Sequence, residues 1–230
     1  MGYIIWKGVQ STTIKGLLVC QLPPITKPTM RVSETIIDGR DGSIIEELGY
    51  EPYDRPLSIA LRGDFDIDEV MKYFTGEGEI VFSNEPDKVY RARIHAQIDY
   101  NRLLRFRQAN ILFRVQPYKY AYNEKSITLT TSNGTNVVNK GLETSKPKMT
   151  ITGSGTIAIS VNGVDVFEYT FPSGESQVVI DSEKEDAYLG NVLKNRNMNG
   201  EFPILQSGNN KIGWTGNVQK IVVDVRSRWL

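Results

Sequence analysis

Only one cysteine, Cys20, and one histidine, His95, stand among the 230 residues. A single thiol cannot close an internal disulfide, which excludes the cystine-stapled secreted scaffolds. Zinc sites draw on several Cys, His or acidic ligands at close spacing, more than this pair supplies. A Ser-His-Asp or Cys-His nucleophile would need His95. That residue falls in an alternating run and reads as the polar face of a strand, while Cys20 follows the apolar Leu17, Leu18 and Val19. No apolar run approaches the ~20 residues that span a bilayer, so membrane insertion is not expected. The opening MGYIIWKGVQ lacks the basic segment and apolar run of a signal peptide, which points to synthesis in a cytoplasm.

A surplus of charge is missing as well. Lys plus Arg and Asp plus Glu number 27 each, whereas nucleic-acid binders normally carry a basic excess for the phosphates. Sequence-specific nucleic-acid binding is therefore disfavoured. Asp38-Gly39-Arg40-Asp41-Gly42 has no Lys-Ser/Thr of a phosphate-binding loop and reads as a tight turn, as does Gly153-Ser154-Gly155. The acid-rich Asp64–Glu69 stretch lacks the glycine and distal glutamate of an EF-hand. No catalytic residue, metal site or cofactor site is expected.

What is present is a set of β patterns. From Tyr90 to Tyr100 apolar and polar residues alternate, and Ala109, Ile111, Phe113 and Val115 repeat the period of two. The pattern predicts two long antiparallel strands linked by Asn101–Arg107. One helix is expected over Ile67–Thr75, with Asp66 as N-cap and Gly76 after its end. Beyond Tyr122 the chain turns rich in Ser, Thr, Asn and Gly. Short strands are expected at Ser126–Thr131, Lys148–Ile151, Thr156–Val161, Gln177–Ile180 and Val218–Arg226, with Asn162-Gly163 as a hairpin turn. This spacing suggests a β-sandwich. The fold class is thus mainly β: residues 1–123 form a β-sandwich-like domain with one short α-helix, and residues 124–230 a second sandwich.

Charge is balanced in each half but segregated within the first. Asp64–Asp87 holds eight acids against Lys72, and Arg91–Lys119 holds seven bases against Asp99. Opposite patches on one molecule suit a head-to-tail interface, with Arg91, Arg93, Arg105, Glu77, Glu79 and Asp87 as its candidate residues. The alternative is that the two segments neutralise each other within one chain. Trp214, Tyr169 and Tyr188 could stack on sugar rings or simply pack a core.

The order of the motifs carries a resemblance. The Asp38–Gly42 turn, a Tyr50–Arg62 strand, the short helix, Glu79–Ser83, the long hairpin and Phe113-Arg114-Val115-Gln116-Pro117-Tyr118 follow one another. Then come Asn139-Lys140-Gly141, Ser145-Lys146-Pro147, Ile151–Ile157, Ile180-Asp181-Ser182-Glu183, Met198–Pro203 and Gly208–Ile212. This string resembles the distal tail protein (Dit) family of long-tailed bacterial viruses and prophages, nearly from end to end. The resemblance implies a non-enzymatic virion protein made in the host bacterial cytoplasm and placed in the tail. Such proteins form a hexameric ring, singly or stacked, whose N-terminal belt domains enclose a channel for DNA. A C-terminal domain similar to galectins or carbohydrate-binding modules projects outward. The ring joins the tail tube protein to the tail-tip or baseplate proteins, and in some relatives it holds receptor-binding proteins. The second domain leaves little room for an inserted sugar-binding module. A carbohydrate-binding module serving host-surface adhesion is the alternative reading.

Overall fold

The computed structural model describes residues 2–230, and its contacts divide them into two compact units, residues 2–122 with Leu230, and Asn123–Trp229. The fold is mainly β. In the first unit the strands are β1 (Ile4–Trp6), β2 (Val9–Gln10), β3 (Leu17–Gln21), β4 (Met30–Ile36), β5 (Ser43–Tyr50) and β6 (Tyr53–Leu61). Helix α1 (Ile67–Tyr73), β7 (Glu77–Phe82), β8 (Lys88–Ile94), helix α2 (Tyr100–Phe106) and β9 (Gln108–Ala121) complete it.

A main sheet runs β2-β1-β7-β8-β9-β6-β3, and β4 and β5 form a separate ribbon. The inward residues of this sheet alternate as its sequence does. Leu57, Ile59, Ile80, Phe82, Tyr90, Ile111, Phe113 and Val115 are buried together with Trp6, Val70 and Phe74. Edge-to-face pairs of Phe113 with Trp6, Phe74 and Phe82 fix the centre of this core. Helix α1 starts where expected, because the Asp66 carboxylate accepts hydrogen bonds from the amides of Asp68 and Glu69 at 2.9 and 3.4 Å. These satisfy donors that the first helical turn leaves open.

Two expectations for this unit are corrected. The alternation through Tyr100 continues past the end of β8 at Ile94, and His95 lies beyond the strand on an exposed connection. The supposed linker is helix α2. Asp99 accepts from the Arg102 amide at 2.9 Å as its cap, and Leu103 is buried in the core. Tyr100, Leu103 and Leu104 have helical spacing, so the period-two signal and a helix signal overlapped there, and burial of Leu103 decided between them.

The second unit contains β10 (Ile127–Leu129), β11 (Asn136–Asn139), β12 (Lys148–Val161), β13 (Val164–Thr170), β14 (Gln177–Asp181), β15 (Asp186–Leu189), β16 (Val192–Leu193), β17 (Met198–Gly200), β18 (Gly208–Asp224) and β19 (Arg228–Trp229). The order β10-β18-β12-β14-β15-β16 is extended by β11 on β18, β13 on β12 and β17 on β13. Met149, Ile151, Ile157, Ile159, Phe167, Tyr169, Ile180, Ile221 and Val223 build its core.

Here Gly153-Ser154-Gly155 is not a turn. The runs Lys148–Ile151 and Thr156–Val161 belong to one strand, β12, whose register against β18 shifts between Thr152 and Gly153 and again between Ser154 and Ala158. A side chain at Gly153 would meet the Asn217 carbonyl oxygen at 2.5 Å, and Gly155 has a φ of +69°. The glycines therefore let a long strand bulge and twist without breaking. Likewise the strand expected at Val218–Arg226 is the last part of the longer β18, which ends at Asp224, two residues short of Arg226.

Candidate assembly interface

The β4–β5 ribbon is the least buried part of the first unit. All of residues 31–42 and 44–49 are exposed. Ile36 is 75% exposed and Ile45 62%, and Val32, Ile37, Ile44 and Leu48 are also open. Its register puts Val32 opposite Glu47, Glu34 opposite Ile45 and Thr35 opposite Ile44, so apolar residues appear on both faces. The Asp38–Gly42 turn forms its tip, with Arg40 N–H bonded to the Ile37 carbonyl at 3.1 Å. An isolated two-stranded ribbon is marginal in water, and large apolar side chains left open along it point to a contact site. We refer to it as the arm.

The arm stands on a rigid base. Arg55, 1% exposed, donates to Glu85 at 3.3 Å and to the Pro23 carbonyl at 3.4 Å, and its guanidinium packs over the rings of Phe82 and Tyr90. Lys119 donates to the other Glu85 oxygen at 2.7 Å, and the Tyr90 hydroxyl donates to Glu85 as well. Asn84 also donates to the Pro23 carbonyl, at 3.0 Å. Pro23 and Pro28 are buried, and Glu51 N–H closes on the Thr29 carbonyl at 2.8 Å. The network thus holds the segment entering β4 beside the segment leaving β5. Burial opposes the charge on Glu85, but the hydrogen bonds from Lys119 and Tyr90 and the charges of Lys119 and Arg55 hold its pKa below the ordinary value. The same burial, with the bond to Glu85, pushes the Tyr90 hydroxyl far up.

The six residues proposed from charge segregation fall in two places. Glu77 stands opposite Arg93, and Glu79 opposite Arg91, in the β7–β8 pairing. Arg93 in turn faces Arg114 on β9, which pairs with Asp54 at 3.2 Å. With Gln116 these side chains line a shallow cleft of about 630 Å³. The guanidinium of Arg91 lies over the Tyr120 ring, 4.5 Å from its centre. Acids and bases therefore stand opposite one another in register along this face, an arrangement in which the segments could neutralise each other. Asp87 lies apart, its pKa lowered chiefly by the hydrogen bond from Lys88. Arg105 is on α2, beside a second and larger cleft.

Cys20 is exposed. It is the extra residue where the β3–β6 register shifts between Val19 and Gln21, which turns it out of the apolar stretch. In the second unit Tyr169 is fully buried against Phe171, so it belongs to the core. Trp214 is half-buried against the same core, and Tyr188 is half-buried with Lys184 over its ring. Among the described residues no cluster of three or more His, Cys, Asp or Glu could hold a metal ion, and no helix is long and apolar enough to cross a membrane.

The arm and α2 were the features the sequence reading missed. The signal for the arm was present in the Ile-Ile pairs that flank the Asp38–Gly42 turn, Ile36-Ile37 and Ile44-Ile45. Apolar residues on both faces of a ribbon do not show the alternation that marks a half-buried strand.

No protein-family model matches the chain, and no curated protein sequence is similar to it. Among solved structures it resembles the Dit protein of phage SPP1, described as a paradigm of the hub adsorption apparatus in phages that infect Gram-positive bacteria. The TM-score is 0.70 at 16% sequence identity, over 97% of each chain. A chain of the phage P2 baseplate, in its activated conformation with Ca, aligns at a TM-score of 0.46 and 10% identity over 92% of this chain and 91% of its own. Along nearly its whole length, this mainly β chain has the fold of the SPP1 distal tail protein.

Proposed function

We propose that this chain is a structural, non-enzymatic subunit of a phage or prophage tail hub, located in the virion tail. The observation that carries this reading is the likeness to the SPP1 protein over 97% of the chain, which takes in both units. The exposed arm supports it independently, since a ribbon with apolar residues on both faces gains by packing on another subunit. In this reading six copies close into a ring, the first unit forms the belt around a channel for DNA, and the second unit faces outward. The tail tube protein lies on one side and tail-tip proteins on the other. Balanced net charge lets like subunits meet without long-range repulsion.

The test is the solution mass of the purified chain by light scattering, with negative-stain images of the same fraction. A closed ring at six times 25.9 kDa is expected. A chain that stays at its single mass at every concentration overturns self-assembly.

The β7–β8 charge ladder gives a separate result. Arg91→Glu with Arg93→Glu places acid opposite acid at two positions, each pair worth about 0.2–1 kcal/mol, so the melting temperature should drop by a few degrees. Adding Glu77→Arg and Glu79→Arg restores the cross-strand pairs and the melting temperature. If the fourfold variant also assembles normally, the ladder neutralises charge within the chain. Assembly that stays weak assigns these residues to the interface.

A further inference from the structure

We propose that Asn133 is a site of spontaneous deamidation and that Lys211 promotes the reaction. The inference is independent of the assembly reading and holds for the single chain. The sequence contains three Asn-Gly pairs, Asn133-Gly134, Asn162-Gly163 and Asn199-Gly200. A glycine after asparagine has no side chain to shield its amide nitrogen, and its backbone turns freely, so each pair is open to the same chemistry. The glycine nitrogen, having given up its proton, attacks the asparagine Cγ. The N–Cγ bond forms, the Cγ–Nδ2 bond breaks, and Nδ2 takes up a proton and leaves as ammonia. Water then opens the succinimide ring at either carbonyl, giving aspartate or isoaspartate.

All three pairs are exposed, so access to water does not rank them. Their tethers do. The Asn162 carboxamide is held at both ends, Nδ2 donating to Asn210 Oδ1 at 3.0 Å and Oδ1 accepting from the Lys211 amide at 2.9 Å. Asn210 is itself fully buried. Asn199 lies in β17 opposite Glu168 of β13. A side-chain carbon at Gly200 would meet the Val166 carbonyl oxygen at 2.4 Å, so the backbone is closely packed there. Asn133 sits on the connection between β10 and β11. Among the described residues its carboxamide has no hydrogen-bond partner. It rests over Gly213, where an added Cβ would stand 2.7 Å from Nδ2. Asn133 and Asn162 have nearly the same φ, 55° and 54°, so the freedom of the side chain is what separates them.

Lys211 supplies the second element. Its Nζ donates to the Asn133 carbonyl oxygen at 3.0 Å, and that carbonyl shares one peptide group with the Gly134 N–H. Loss of the Gly134 proton spreads negative charge onto this oxygen. A cation at hydrogen-bond distance stabilises the charge, as donors aimed at a developing oxyanion do. The Gly134 N–H donates to the Thr131 carbonyl at 3.2 Å, a single bond that opens for the attack. Conversion adds one negative charge to a chain whose net charge is zero, and the isoaspartate form lengthens the main chain by one carbon just ahead of β11.

The test holds the folded full-length chain in mildly alkaline buffer and follows the amide-to-acid mass gain at each pair by peptide mapping. Asn133 should convert roughly tenfold faster than Asn162, the factor set by the two hydrogen bonds that Asn162 must give up. It should also convert ahead of Asn199. Lys211→Met should slow Asn133 by about fivefold, the worth of one charge at this range in a watery setting. The same variant should leave Asn162 unchanged, because Asn162 is bound by the Lys211 backbone. Lys211→Arg keeps the charge and should keep the rate. Lys211 is exposed, so circular dichroism should show unchanged folds, and the ranking in the unmodified chain needs no variant. In denaturant the three pairs should convert at similar rates, which ties the folded ranking to the structure. The site is overturned if Asn162 or Asn199 converts first in the folded chain, or if Asn133 stays intact there while it converts in denaturant. A Lys211→Met chain that converts at the unmodified rate overturns the part given to Lys211.

Discussion

Glu85→Ala is expected to destabilise the first unit by about 3–5 kcal/mol, the usual loss when one partner of a buried ion pair is removed. Arg55 and Lys119 are almost fully buried and share Glu85 as their common carboxylate. Truncation would leave two cations without it in a low-dielectric setting. Whole domains are stable by only about 5–15 kcal/mol, so this is a large fraction. Denaturant unfolding should show the first unit's transition moving to much lower concentration while the second unit's transition stays in place. Replacing all three groups with apolar residues, Arg55→Met, Glu85→Leu and Lys119→Met, should recover much of the loss, because no charge then remains buried. A single alanine variant with unchanged unfolding would mean that the network contributes nothing.

The same carboxylate sets an acid limit. Its folded pKa lies below the ordinary value of 4.5, so its contribution is fully present above that value and is lost as pH falls through the lower folded one. Stability of the first unit should therefore fall below about pH 4.5, and Glu85→Gln should flatten that slope. The second unit has a counterpart in Asp181, 1% exposed and bound by Arg226 at 2.6 and 3.0 Å. Burial opposes the charge of Asp181, and the Arg226 hydrogen bonds and charge lower its pKa in spite of that. The two units should lose stability in acid for the same reason, but Glu85→Gln should change only one of them.

Removing the arm should abolish assembly and leave the chain folded. Met30 and Tyr50 are register partners at its base, where paired Cα atoms lie about 5 Å apart. Residues 31–49 can therefore be replaced by an Asn-Gly turn. The arm shares no core with the sheet, since its apolar residues are exposed, so the melting temperature should hardly move. Fully burying one Ile or Leu yields about 1.5–3 kcal/mol. Covering half of such area at several positions gives more than about 2.8 kcal/mol, a hundredfold in association. Light scattering of the shortened chain should find single subunits. Intact rings from it would release the arm from self-assembly and leave it for another tail protein.

Much of the fold was legible because its signals are local. Asp66 caps α1 through backbone amides two and three residues away, and the alternation of Ala109, Ile111, Phe113 and Val115 matches the buried face of β9. A period of two fixes which side chains turn inward whatever strands pair alongside. The absence of a second cysteine or histidine also needed no structure to limit the chemistry. What lay beyond the sequence depended on partners distant along the chain. Gly153 and Gly155 read as a turn until the pairing of β12 with β18 showed a bulge, since glycine serves both and only the neighbouring strand distinguishes them. Segregated acids and bases looked like separate patches, and the β7–β8 register set Glu77 and Glu79 opposite Arg93 and Arg91. Arg55 gives no local hint of its burial; its partners Glu85, Tyr90 and Pro23 are each thirty or more positions away along the chain. The amino-acid sequence determined the strands, the helix cap and the balance of charge, because each depends on neighbours in the chain. Tertiary structure alone decided which charges are satisfied and which apolar residues remain uncovered, because both depend on surfaces that meet only after folding.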